Sequence, residues 1–67
     1  MIQRDTLIKM INDNATVYVV NNELFSTRAA ALKALRSADQ VADILGTPRA
    51  TIEAHKAYKF TSIVNTL

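Results

Sequence analysis

Leu7, Ile8 and Ile11, with Met10 beside them, recur at helical spacing, and the run stops at Asn12-Asp13-Asn14, a turn signal. The period then shortens. Thr16-Val17-Tyr18-Val19-Val20 is dense in β-branched and aromatic residues, and Asn21-Asn22 tolerates the positive φ of a tight turn. Glu23-Leu24-Phe25 can return as a second strand. The pattern predicts a short helix over 4–11 and then a β-hairpin.

Helical patterning resumes after Ser26 and Thr27, either of which can cap a helix beginning near Arg28. Ala29, Ala30, Ala31, Leu32, Ala34 and Leu35 give that helix high propensity and a broad apolar face. Ser37 has Gln40 three residues on, a capping-box pattern that predicts a new helix from Ala38, with Val41, Ile44 and Leu45 as its buried stripe. Gly46 suits a left-handed C-terminal position, Thr47 can serve as the next N-cap, and Pro48 has no donor to lose at a first helical position. These signals predict a last helix over 48–59. Residues 60–67, with Thr61, Ile63 and Val64, are expected as a third strand or a partly ordered tail.

The expected fold class is therefore α+β: a small single domain over 1–67 with an N-terminal helix, a hairpin, three further helices and a possible C-terminal strand. The hairpin either covers the helices or acts as the wing of a winged helix. A wing usually follows the recognition helix, and this hairpin precedes it, which favours the covering role.

Size constrains this picture. A chain of 67 residues hides only about 60 % of its surface on folding, so it is marginal alone or helped by a partner. Four aromatic residues among 67 leave the core to Ala, Leu, Ile and Val. There is no cysteine, which removes disulfides and thiolate metal sites as sources of stability. No apolar run approaches the roughly 20 residues of a membrane span, and 1–5 lack the apolar region of a signal peptide, so a cytoplasmic location is expected. The net charge of +2 gives little general attraction for nucleic acid, so phosphate binding would need local clusters. Arg28, Lys33 and Arg36 form one such group, readable as a phosphate-binding patch or a solvated helical face; Arg49, Lys56 and Lys59 form another.

The stretch Ala42-x-x-Leu45-Gly46-x-x-Arg49-x-Thr51-Ile52 resembles the helix-turn-helix of Fis-type DNA-binding domains and, more loosely, the Cro and repressor family. It spans about a quarter of the chain. The resemblance implies that the helix from Pro48 enters the major groove, within an HTH-like pair over 38–59. Arg49 would then read guanine, Thr47 and Thr51 would meet phosphate or a thymine methyl, Ala50 would lie against the groove, and Lys56 would hold the backbone. Glu53 would be tolerated there only by accepting from a cytosine amine. The alternative for the same segment is an ordinary helical corner with a solvated Arg49.

Catalytic chemistry finds little support. His55 is the only histidine and is expected as a partly exposed helix residue, and Ser26, Ser37 and Ser62 have no nucleophile context. His55 with Asp39, Asp43 or Glu53 lacks paired metal-ligand spacing, and Gly46 alone cannot build a phosphate loop. No enzyme activity, metal or cofactor is expected. Two functions remain: a dimeric regulator binding double-stranded DNA, and a protein-binding module, such as a phage- or plasmid-type inhibitor or adaptor docking on a larger host protein. A purely structural oligomer is a third. In each, self-association would use the Ala-rich helix or the C-terminal segment.

Overall fold

The computed structural model describes residues 2–67. A helix, α1 (Arg4–Asn12), leads into strands β1 (Thr16–Val20) and β2 (Glu23–Phe25), a long helix α2 (Arg28–Leu45), strand β3 (Glu53–Lys56) and a 3₁₀ segment (Ala57–Thr66). The expected α+β class is present, and the first half of the chain follows its local signals closely.

Asn14, at φ 54°, closes α1. Its N–H donates to the Ile11 carbonyl at 3.2 Å and that of Ala15 to Met10 at 2.9 Å, a Schellman pair with asparagine in the left-handed place. The hairpin turns on Asn21 and Asn22, at φ 50° and 65°. Two positive φ values in a two-residue loop match the right-handed twist of the strands, and they set Val20 opposite Glu23.

β1 lies at the centre of a sheet ordered β2-β1-β3, antiparallel to both neighbours. Alternation places Val17 and Val19 on one face with Leu24 of β2. There they join Ile2, Leu7 and Ala57, flanked by Met10, Ile11, Phe60, Ile63 and Val64, so α1 and the 3₁₀ segment cover this face together. α2 packs on β1 and β2 and contributes nothing to that cluster, so it takes the opposite face, where Val20, Ala31 and Ala42 are buried. β2, α2 and β3 thus form a split β-α-β unit around β1.

Three expectations after the hairpin are corrected. Ser37 begins no new helix: α2 runs unbroken for 18 residues, capped once by Thr27, whose Oγ1 accepts from the Ala30 N–H at 3.2 Å. Ser37 is exposed inside it, where serine costs a few tenths of a kcal/mol, too little to stop an alanine-rich helix. The helix predicted over 48–59 does not form. Residues 47–52 have no regular structure, and Glu53–Lys56 pairs with β1 in the register Thr16 to Lys56 and Val19 to Glu53, so sheet pairing overrides the helical propensity of Glu, Ala and Lys. The predicted strand or tail over 60–67 belongs to the 3₁₀ segment, which kinks at Phe60. Thr61 and Thr66 donate from their hydroxyls to the Tyr58 and Ile63 carbonyls at 2.6 and 2.8 Å, satisfying groups that a short helix leaves open.

Gly46 does take the left-handed conformation, φ 70° and ψ 24°, and the Thr47 N–H closes the helix on Ala42 O at 3.0 Å. A Cβ there would meet nothing within 4 Å. Gly46→Ala should therefore lose only the backbone preference, about 1 kcal/mol. In a thermal melt this should lower Tm by about 4–8 °C, and an unchanged or raised Tm would contradict the left-handed cap.

The molecule is elongated. Its radius of gyration is 12.8 Å, against roughly 11 Å for a compact chain of this length. α2 is about 27 Å long by its rise per residue, whereas five-residue β1 spans about 17 Å. The end of α2 therefore overshoots the sheet. Among the described residues, no helix is long and apolar enough to cross a membrane.

Candidate interaction surface

The residues expected to read DNA lie in the segment after α2 and on β3. Arg49 folds back on the last turn of α2, its guanidinium 3.3 Å from both Asp43 carboxylate oxygens, with the two side chains 69 % and 60 % exposed. Thr47 donates its backbone N–H to the helix end, and Ala50 is half-buried. Glu53 and His55 are neighbours on one face of β3, Oε2 to Nε2 at 3.3 Å. His55 also sets its ring edge-on to Phe60 at 6.0 Å. It is thus a half-buried strand residue, correcting the expected helical placement. Lys56 reaches the Asn14 carbonyl at 3.4 Å, reinforcing the end of α1. Thr51 lines an open polar cleft of about 330 Å³ with Asn21, Asn22, Arg49 and Glu53. With no helix from Pro48, Arg49, Ala50, Thr51 and Glu53 are brought together by this cleft and not by a helical face, while Thr47 and Lys56 lie outside it.

Arg28, Lys33 and Arg36 are exposed on α2 and make no ion pair among the described residues. At 100° per residue they spread over about 140° of the helix circumference. That is a solvated side, with the charges held apart. No group of three or more His, Asp or Glu side chains that could hold a metal occurs among the described residues.

α2 carries the unexpected feature. Ala31, Leu35, Ala38, Ala42 and Leu45 form an inner seam; Ala31 and Ala42 are buried beneath the sheet contact, Leu35 and Ala38 half-buried. One residue earlier each time, Ala30, Ala34, Ser37, Val41 and Ile44 form a second seam, about 100° round the axis. Its spacings of four, three, four and three are those of a heptad repeat. This outer seam is exposed except for half-buried Ala34.

Val41, Ile44 and Leu45, expected as a buried stripe, are 54 %, 83 % and 68 % exposed. The correction follows from length: the sheet ends before the helix does, and the irregular segment after Gly46 leaves these residues open. A groove of about 400 Å³ between Val41 and the Thr47-Pro48 segment continues the patch. The seam could have been read from the sequence as a heptad run beside the inner one. What hid it was the assumed break at Ser37, which divides the five positions between two helices.

The chain matches no protein-family model, no curated protein and no solved structure. The functional reading therefore rests on the geometry of this surface.

Proposed function

We propose that this chain is a protein-binding module that docks through the outer flank of α2. The observation that carries the reading is the uncovered turn of Val41, Ile44 and Leu45. A single exposed leucine is ordinary on any protein surface. Three large branched side chains close together, where among the described residues Leu7 and Val17 are the largest side chains fully buried, leave apolar area in water that a partner would remove. The net charge of only +2 weighs against duplex DNA as that partner.

The test places a photoreactive benzoylphenylalanine at position 44 and, as a control, at exposed Lys9 on α1, in purified protein and in cells of its source. Illumination should give a nuclease-resistant protein adduct from position 44 and little from position 9. Equal yields from both positions, or no protein adduct at 44 while the native chain shifts duplex DNA at low salt, would overturn the reading.

A further inference from the structure

We infer that residues 47–52 are a salt-sensitive strap, latched to α2 by Arg49 and Asp43, whose release opens the groove lined by Ala38, Val41 and Ala42 to solvent. The strap stands on its own geometry, and only its consequence for partner binding rests on the docking function proposed above.

Backbone bonding is the first argument. Thr47 donates its N–H to the Ala42 carbonyl, and beyond it residues 48–52 make no backbone hydrogen bond with any described residue. Pro48 has no N–H to donate. Thr47, Pro48, Arg49 and Thr51 are exposed, whereas Ala50 and Ile52 are half-buried. A stretch with no hydrogen-bonded ladder and few buried apolar contacts opens at the low end of a protein's range of local stabilities. Both of its ends are fixed, by the close of α2 at Gly46 and by the pairing of Glu53 with Val19. Gly46 is itself a free hinge, since it is left-handed and a Cβ built there would meet nothing within 4 Å.

The second argument is what ties the segment down between those ends. A groove of about 400 Å³ separates Thr47, Pro48 and Ala50 from Ala38, Val41 and Ala42, so the strap is not sealed onto the helix by packing. The Arg49–Asp43 pair remains. One guanidinium nitrogen is shared between both carboxylate oxygens at 3.3 Å each, longer than the roughly 2.7–2.9 Å of a strong charge-assisted bond and without the two parallel bonds of a fork. Both side chains lie mostly in water, where dissolved ions screen them. Such a latch holds by a small factor and releases readily.

Release uncovers Ala38 and Ala42 beside the already exposed Val41, which extends the apolar surface at the end of α2. A docking partner therefore competes with the strap for this groove, and ionic strength sets how often the groove is open.

The absence of cysteine from the sequence makes the groove directly readable. Ala38→Cys places a thiol on the groove wall, and Ser37→Cys, at an exposed neighbour, controls for effects of salt on thiol chemistry. Both are labelled with uncharged N-ethylmaleimide between roughly 0.05 and 1 M NaCl, a range that shortens the screening length severalfold. The ratio of the Ala38→Cys rate to the Ser37→Cys rate should rise with salt, up to about fivefold, the limit for an exposed ion pair. Adding Arg49→Gln should raise the ratio at low salt and remove the further rise. Reversing the pair, with Asp43→Arg and Arg49→Asp together, should restore slow labelling and its salt response, with an unchanged circular dichroism spectrum. A ratio unmoved by salt and by Arg49→Gln, or a reversed pair that labels as fast as Arg49→Gln, would overturn the latch. A position-44 photo-adduct without salt-responsive labelling would remove the strap and leave the docking function standing; salt-responsive labelling with no protein adduct would leave the strap and remove the docking function.

Discussion

Leu7→Ala is expected to remove a large part of the stability of the domain. Leu7 is fully buried, and among the described residues it and Val17, in the same core cluster, are the largest side chains so enclosed. Its removal takes away transfer free energy and leaves a cavity, together about 2–5 kcal/mol. A domain of 67 residues has roughly 3–10 kcal/mol to lose. No second large core side chain on α1 can compensate, because Ile8, Met10 and Ile11 are only half-buried. Urea titration followed by circular dichroism should show a midpoint moved to much lower denaturant, whereas Ile8→Ala should shift the midpoint much less. Equal shifts for the two variants would contradict the assignment of Leu7 as the residue joining α1 to the sheet.

The second large effect is expected from Ala38→Pro. In an unbroken α2, proline at 38 removes the N–H that donates to the Ala34 carbonyl and presses its ring against that turn, at about 3 kcal/mol or more. It would also splay the helix across the face that covers Val20. Were a new helix to begin at this residue, proline would sit at its first position and cost almost nothing. The two architectures therefore give opposite results in one denaturation experiment. A fully folded Ala38→Pro chain with native helix content would reinstate the break at Ser37; loss of cooperativity would confirm the single helix. Ser37→Ala is the useful companion, since it keeps a continuous helix intact and removes a cap only if one exists.

The contrast shows where local chemistry suffices. α1, the Asn21-Asn22 hairpin, the Thr27 cap and the Gly46 terminus were all legible because each is decided within a few residues: a left-handed asparagine, a hydroxyl reaching an N–H three residues on, a glycine free of Cβ. β3 was not legible, because Thr16 and Lys56 pair across forty positions of chain and no local signal reports a partner so distant. Without that strand, Thr47 and Pro48 read as the start of a helix; with it, they belong to an irregular connection. The resemblance to a helix-turn-helix arose for the same reason. Gly46 closes a helix here in the left-handed conformation, and the sheet then decides the course of the chain beyond the glycine. Of the expected DNA contacts, Arg49, Ala50, Thr51 and Glu53 line one cleft, and Lys56 reaches Asn14 instead. The exposed seam of α2 was present in the sequence as a period, but recognising it required knowing that the helix is longer than the surface it covers.

The central position of β1 has a consequence for colloidal behaviour. Thr16–Val20 combines β-branched and aromatic residues without charge, proline or glycine, the composition of a segment prone to amyloid-like stacking. It is also the strand with no open edge, because β2 satisfies one side and β3 the other. The strands left at the margins are three and four residues long and bear Glu23, Glu53 and Lys56, a poor template for further strands. The fold thus encloses its stickiest pentapeptide between two short charged borders, which protects the native molecule from fibre growth.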